Sequence, residues 1–403
     1  MDIVVQKYGG SSVADVEHIE RVADRMVQTI EGGDRVVAVV SAMGNTTNEL
    51  LELSRQITAT PAARELDMLL TVGERITMAL LSMALHARGH EAVSFTGSMS
   101  GIITNASHTG ARVVEVRPFR VQDALDEGKV VIVAGFQGVS YRREITTLGR
   151  GGSDTTAIAL AAALGARHCE ICSDVDGVYT TDPRVVSDAR LLDAITHDEM
   201  LDLSEGGARV LHSAAIDYAR RHGIAIYARS TFGQPETGGT IVRVDLDGAR
   251  PEVTAVAGRK DRVAIRRNTS SASEALVWLH GLSEGLGDGD VAPVRTAVTG
   301  TEPAVAEALY ELENVPDPEG FVERLQGRHA DAVMSPVHGV VVVVGPDVGT
   351  SASFSAAAWS ALGDLQGEAL GFETRPRTVE IRLPTAAVDE AVRRLHAALI
   401  PSS

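Results

Sequence analysis

The stretch Thr146–Ala166, TTLGRGGSDTTAIALAAALGA, decides the fold. Two glycines stand between an arginine and a Ser-Asp pair, and a run of small apolar residues follows that reads as a helix from Ser153 to Ala166. On either side lie strand-like runs, KVVIVAGFQGV (129–139) and HCEICSDVDGVY (168–179). The same alternation runs outward in both directions. DIVVQKYGG (2–10), RVVAVVSAMG (35–44), EAVSFTG (91–97) and IAIYARS (224–230) read as strands. Helical spacing marks Val13, Val16, Ile19, Val22, Met26 and Ile30, and helices are also expected over 65–89, 121–128 and 197–223, the last with a Gly-Gly break. Apolar strands alternating with helices predict an α/β domain over residues 1–242, a mostly parallel sheet sandwiched by helices.

A linker rich in charge, Gly and Pro follows at 243–252, RVDLDGARPE. Beyond it the texture changes. Short strands are expected at VTAVAG (253–258), RVAIRR (262–267), GVVVVVG (339–345) and TVEIRL (378–383). Short amphipathic helices are expected at SASEALVWLHGL (271–282), AVAEALYEL (304–312) and DEAVRRLHAAL (389–399), with Gly-rich loops such as SEGLGDGD (283–290) between them. This pattern predicts an α+β region over 253–403 built from two small ferredoxin-like units.

A chain of 403 residues is too long for one ordinary domain, and 44% apolar residues suffice for a large core. Aromatics are scarce, so that core is built from Val, Leu, Ile and Ala. The formal net charge of −17 makes nucleic acid and anionic membranes poor partners. No apolar run is expected to span a bilayer. Asp2 and Gln6 interrupt any leader-like start, so a cytoplasmic location is expected. Only three lysines occur, Lys7, Lys129 and Lys260. Cys169 and Cys172 form a CxxC, but on a strand they point to opposite faces and there is no second Cys pair. They read as structural thiols, and no metal site is expected.

In an open parallel sheet, ligands bind beyond the carboxyl ends of the strands. KYGGSS places Lys7, Gly9, Gly10 and Ser11 at such an end: glycine lets the backbone approach an anion, and lysine is a point charge for phosphate. In GRGGSD, Arg150 can clamp a carboxylate in bidentate fashion, while Ser153 and Asp154 stand at a helix start. An amino-acid ligand needs both signs, a cation for its carboxylate and an anion for its ammonium. Arg150 with Asp154, or with Glu74 in TVGERIT, supplies the pair. SDVDGVYTTDPR carries Asp174, Asp176, Tyr179, Asp182, Pro183 and Arg184, a polar loop suited to a nucleotide.

Taken in order, QKYGGSSVAD, VVSAMGNTTNEL, TVGERITMALLSMAL, GFQGV, TTLGRGGSDTTA, SDVDGVYTTDPR, DEMLDLSEGGARVLH and ARSTFG resemble the aspartate kinases of the amino acid kinase family, over the first 242 residues. The resemblance implies ATP-dependent phosphorylation of the side-chain carboxylate of L-aspartate, with Mg²⁺, as the first step of the aspartate-family amino-acid pathway. Lys7 matches the lysine that steadies the transferring group, and Gly9, Gly10 and Ser11 match the phosphate loop. Thr47, Glu74, Arg150 and Ser153 match substrate positions, and Asp154 the aspartate beside substrate and phosphates. Ser173, Asp174, Tyr179, Asp182, Pro183, Arg184 and Arg209 match the nucleotide side. Arg209 stands where the family usually has Lys, Cys172-Ser173 replaces a usual Tyr-Thr, VLHSAAID lacks the usual Pro-Arg after its His, and TGSMSGI replaces a segment that usually carries Gln.

The resemblance also implies that the C-terminal region is a pair of ACT-like domains that join subunits into a homodimer or higher oligomer. The usual Asp-Lys-Pro-Gly turn and Gln-Asn effector loop are missing, so weak feedback control, and service in a specialised pathway, are expected. Two other readings stand beside this one: a kinase for a different amino-acid carboxylate on the same fold, and a non-catalytic regulatory subunit that binds nucleotide or amino acid.

Overall fold

The computed structural model describes residues 1–233, 238–246, 248, 250–284, 291–313, 315 and 317–401. The chain divides into two compact units. One comprises Met1–Thr180, Ala189–Glu205 and Arg209–Ala249; the other comprises Thr181–Asp188, Gly206–Ala208 and Arg250–Ser403.

Among the described residues the first unit has twelve strands: β1 (Ile3–Tyr8), β2 (Arg35–Val40), β3 (Ala92–Phe95), β4 (Ile102–Thr104), β5 (Val113–Val116), β6 (Val130–Ala134), β7 (Gln137–Ser140), β8 (Ile145–Thr147), β9 (His168–Ser173), β10 (Ala194–Thr196), β11 (Ile226–Ser230) and β12 (Thr240–Arg243). Eight form one sheet in the order β10-β12-β11-β9-β1-β2-β6-β3. Every pairing in it is parallel except β11 with β12. Every residue of β6 is buried, as a strand covered on both faces requires. The other four strands form a small sheet, β5-β4-β7-β8. The sequence did not announce it, because strands as short as β4 and β8 carry too few residues for a period to register.

The helices of this unit are α1 (Val16–Glu31), α2 (Thr46–Ile57), α3 (Ala63–Leu70), α4 (Val72–Ala87), α5 (Phe119–Asp126), α6 (Gly152–Leu164), α7 (His197–Glu205) and α8 (Ser213–His222). Asp15 caps α1 by accepting from the His18 N–H at 2.9 Å. Its Ile19, Val22 and Met26 share one core with Leu81 and Leu85 of α4 and with Val36, Ala38, Val40 and Ile132 of the sheet. Helix α6 packs on β1 and β2. Its Ala157–Ala161 run is fully buried on every side, which is why this helix has no polar face. The Gly-Gly break falls between α7 and α8, with Gly207 at φ +113°.

Ala63–Ala87 is long and apolar enough, by length and composition, to cross a membrane. In the fold it is the pair α3–α4, which runs on through Thr71 in helical conformation, buries Asp67, Glu74 and Thr77, and packs on α1 and β6 as a core element.

The second unit contains β13 (Ala255–Thr269), α9 (Ala272–Glu284), β14 (Arg295–Gly300), β15 (Ala304–Glu311), α10 (Pro318–Arg328), β16 (Val333–Met334), β17 (His338–Val344), α11 (Ala352–Ala361), β18 (Gly371–Arg375), β19 (Thr378–Pro384) and α12 (Val388–Leu399). Its strands run β14-β15-β13-β17-β19-β18, all antiparallel, with β16 beside β13. This is the α+β ferredoxin-like plan, with one strand serving two cores. The pairing of β13 with β17 shifts register between Arg259 and Arg262. The half before the shift shares a core with α11 and α12, and the half after it with α9 and α10.

VTAVAG and RVAIRR are therefore one strand, not two. AVAEALYEL is likewise a strand and not a helix. Its Ala304, Ala306, Ala308 and Tyr310 point into the α9–α10 core while Val305 and Glu307 point away, a period of two. The Gly-rich loop expected at 283–290 lies outside the described residues from 285 onward.

Candidate active site

The carboxyl ends of β1, β2, β6 and β9 and the start of α6 carry most of the singled-out residues. Lys7 is next to last in β1, and its Nζ lies 2.6 Å from Asp154 Oδ1; these side chains are 12% and 11% exposed. Asp154 occupies the first turn of α6, where the helix dipole favours negative charge. A Cβ on Gly9 would come within 3.4 Å of Lys7 Nζ, so the lysine folds over a bare backbone. Gly10 abuts the carbonyls of Ala42 and Gly44, and its own carbonyl accepts from the Gly44 N–H at 3.1 Å. Ser11 is exposed on this turn.

The next residue, Ser12, was missed by sequence reasoning. It is buried, with Oγ 2.6 Å from Thr231 Oγ1. Arg25 of α1 donates to the carbonyls of Ser230 and Thr231 at 3.0 and 2.9 Å. An arginine within the buried face of an amphipathic helix, beside Met26, was the available signal. On the same side Glu170, buried, lies near Arg25 and Arg229 and accepts from Gln6. Burial opposes its ionisation, but His168, Arg229, Arg25 and Gln6 overcome that and hold its carboxyl at about 2.

Glu74 of α4 reaches the segment after β2. Its Oε1 accepts from the Ala42 N–H at 3.3 Å, and its Oε2 has no hydrogen-bond partner. Burial raises its pKa to about 7. Gln137 ties the end of β6 to the same helix pair by donating to the Thr71 carbonyl at 3.2 Å. Thr47 is half-buried in the first turn of α2. Arg150 is exposed and makes no ion pair among the described residues. It precedes Gly151, at φ +68°, where a Cβ would lie 2.3 Å from Cγ of His212. Only glycine fits there, for backbone and for space. Sequence reasoning also missed His212, whose Nδ1 is buried without a partner. Ser153 is buried against Gly135, where a Cβ would come within 2.8 Å of it.

The polar loop after β9 is shared between the units. Ser173 accepts at its carbonyl from the Thr231 N–H and hydroxyl, at 2.8 and 3.0 Å. Asp174 is exposed, and the Tyr179 hydroxyl donates to Asp176 at 3.3 Å. Asp182, Pro183 and Arg184 belong to the second unit, where Asp182 and Arg184 pair at 2.7 Å. Arg209 is exposed in the first unit. Cys169 and Cys172 are both buried and free on β9, and burial pushes the Cys172 thiol up to about 12. Among the described residues no group of three or more His, Cys, Asp or Glu gathers as a metal cage.

The profile described as "Amino acid kinase family" matches residues 2–230. The aspartokinase of Mycolicibacterium smegmatis is 48% identical over 318 residues, 79% of this chain and 72% of that one. The aspartokinase of Corynebacterium glutamicum is 40% identical over 415 residues, 98% of this chain and 96% of that one. The match to Mycobacterium tuberculosis aspartokinase, 56% identical, spans 57% of that relative's length. The crystal structure of E. coli aspartokinase III in complex with aspartate and ADP superposes with a TM-score of 0.84 over 99% of this chain and 100% of that one, a likeness of fold at 24% identity. The chain belongs to the amino acid kinase family. Its place inside that family is among the aspartokinases, of which that of C. glutamicum matches it almost end to end.

Proposed function

We propose that this chain is an aspartate kinase, transferring the γ-phosphoryl group of ATP to the side-chain carboxylate of L-aspartate and releasing 4-phospho-L-aspartate and ADP. The single observation that carries the reading is the Lys7–Asp154 pair over the bare Gly9–Gly10 turn, at the start of α6. Phosphoryl transfer needs little covalent help from a protein; it needs position and charge neutralisation. The nucleophile is already a carboxylate, so no general base is required. One of its oxygens forms the new P–O bond as the bond to ADP breaks.

Lys7 neutralises charge on the transferring oxygens, and the N–H groups of Gly10 and Ser11 donate to phosphate oxygens, while the Gly9 N–H is held by the Cys172 carbonyl at 3.4 Å. Asp154 holds Lys7 in place before ATP arrives. Glu74, with an unpartnered oxygen in a buried setting, takes the substrate's ammonium group, and exposed Arg150 takes its α-carboxylate. Thr47 and Ser153 complete the substrate side. Ser173, Asp174, Tyr179, Asp182, Pro183, Arg184 and Arg209 are assigned to the nucleotide on the family resemblance. Mg²⁺ suits this donor set: it binds through one or two carboxylates plus substrate phosphates and needs no protein cage. Asp154 would be its protein ligand, and the ion would supply charge neutralisation on the phosphates.

We further assign residues 1–242 to catalysis, 243–252 to a linker and 253–403 to two ACT-like domains through which the chain forms homodimers or higher oligomers. Two buried free thiols fit a reducing, cytoplasmic setting. The test is turnover of ATP and Mg²⁺ with L-aspartate, trapping the acyl phosphate with hydroxylamine beside a panel of other amino acids. Hydroxamate with aspartate alone is the expected result; hydroxamate only with another acid, or with none, would reject the assignment.

A further inference from the structure

We infer that Asp67 is a positioning residue that sets Arg150 against Glu74, and so fixes the span over which the site reads an amino acid. The inference rests on the reading of Arg150 and Glu74 as the groups that hold the substrate's two charged ends.

Asp67 lies on α3 with no exposed surface. It precedes Glu74 by two helical turns on the same buried face, a rise of about 10 Å. A carboxylate with no access to water is costly unless its oxygens are filled. Here they are filled from two segments, the 108–109 turn and the β8 segment, the second of which α3 also holds through Arg64 and Glu144 at 2.8 Å. Oδ1 accepts from the Thr147 hydroxyl at 2.6 Å and from the Thr109 N–H at 3.0 Å. Oδ2 lies 2.6 Å from His108 Nδ1.

Thr147 ends β8, three residues before Arg150. Its carbonyl accepts from the Ala111 N–H at 2.8 Å. The 109–110 turn flanks Gly149, where a Cβ would lie 3.5 Å from the Thr109 carbonyl oxygen and 3.7 Å from Gly110 Cα. Thr109 itself sits at φ +62°, a conformation a β-branched residue keeps only when its surroundings enforce it. One carboxylate therefore holds both walls of the turn that carries Arg150.

The same helix pair receives Ala42 at Glu74 and Gln137 at Thr71. Three loops of the substrate side are thus hung on one rigid rod. Lys7 hangs on β1, and its turn meets the rod through the 42–44 segment, to which Gly10 and Glu74 both bond; Asp67 bonds to none of these. Loosening Asp67 should therefore displace Arg150 and weaken aspartate binding while leaving ATP binding alone, whereas a purely structural defect would affect both or neither.

The experiment uses the full-length chain and three variants. Thr147→Val removes one donor and keeps the shape; Asp67→Asn removes the charge facing His108; Arg150→Lys tests the underlying reading. The expected result is an apparent KM for aspartate raised about tenfold in Thr147→Val and Asp67→Asn, as displaced binding groups produce, with KM for ATP unchanged. If Arg150→Lys raises KM for aspartate but the other two variants do not, the role of Asp67 is overturned while the site reading stands. Equal effects on both substrates, or a lowered melting temperature with unchanged KM values, would also overturn it as mere structural support. If Arg150→Lys leaves KM for aspartate untouched, the reading of Arg150 fails and the inference falls with it. Should Asp67→Asn not fold, Thr147→Val alone decides.

Discussion

Glu74 is held in its protonated form by burial up to about pH 7, although an exposed glutamate ionises near 4.5. Its folded pKa lies above its unfolded one, so the folded state binds the proton more tightly. The stability this provides is complete below about pH 4.5 and is lost as the pH rises through about 7. Glu74→Gln should therefore melt like the parent at pH 4 and be more stable by up to about 3 kcal/mol at pH 8. Function runs the other way. Only the ionised carboxylate pairs with an ammonium group, so KM for aspartate should rise as the pH falls below 7. In Glu74→Gln it should be high and flat with pH. A wild-type profile in the variant would return Glu74 to a structural role. Lys7 stands near the end of β1, beside Asp154. Lys7→Ala should lower kcat at least about 100-fold, the loss typical of one oxyanion-stabilising group, with the circular dichroism spectrum intact. Near-normal hydroxamate formation would refute its assignment.

At the scale of elements, the site depends on where α6 starts. Its first turn carries Ser153 and Asp154, and the left-handed Gly151 before it lets the chain turn under His212. Gly151→Ala would place a methyl carbon inside the His212 ring contact and add about 1–2 kcal/mol of backbone strain. The expected outcome is a large rise in KM for aspartate with a modest fall in melting temperature. A variant with unchanged kinetics would show that the turn tolerates the shift. The cluster of Ser12, Thr231 and Arg25 works the same way on the phosphate side, tying the turn after β1 to the end of β11.

At the scale of the whole molecule, the two units have separate cores: Val22, Met26, Leu81 and Ile132 in one, and Val341, Ile381 and Leu395 in the other. Chemical denaturation should therefore show more than one step, with loss of turnover tracking only one of them. A single transition shared by every probe would mean that the units unfold as one. The second unit has the ferredoxin-like plan, and its sequence lacks the Asp-Lys-Pro-Gly turn and Gln-Asn loop that the resemblance implies. Turnover should accordingly be little changed by millimolar lysine or threonine. Strong inhibition by either would show that effector binding survives with other residues.

The pattern of residues determined the parallel sheet, the buried helix α6 and the motifs at the strand ends, because burial on both faces and glycine-bounded turns write themselves into local sequence. Lys7, Asp154, Glu74 and Arg150 could be singled out as candidates for that reason: each stands at a punctuated strand-to-helix turn or on a marked helix. Where a local signal was ambiguous it misled. AVAEALYEL suits a helix by composition, and only a facing core showed its alternation to be that of a strand. The β4–β7 pairing that joins the small sheet, the Arg25–Thr231–Ser12 cluster and the Asp67 contacts join residues dozens to hundreds of positions apart. No window of sequence contains such pairs. Which buried charge meets which partner, and hence that Glu74 is left without one on Oε2, was decided only when tertiary packing excluded water from it.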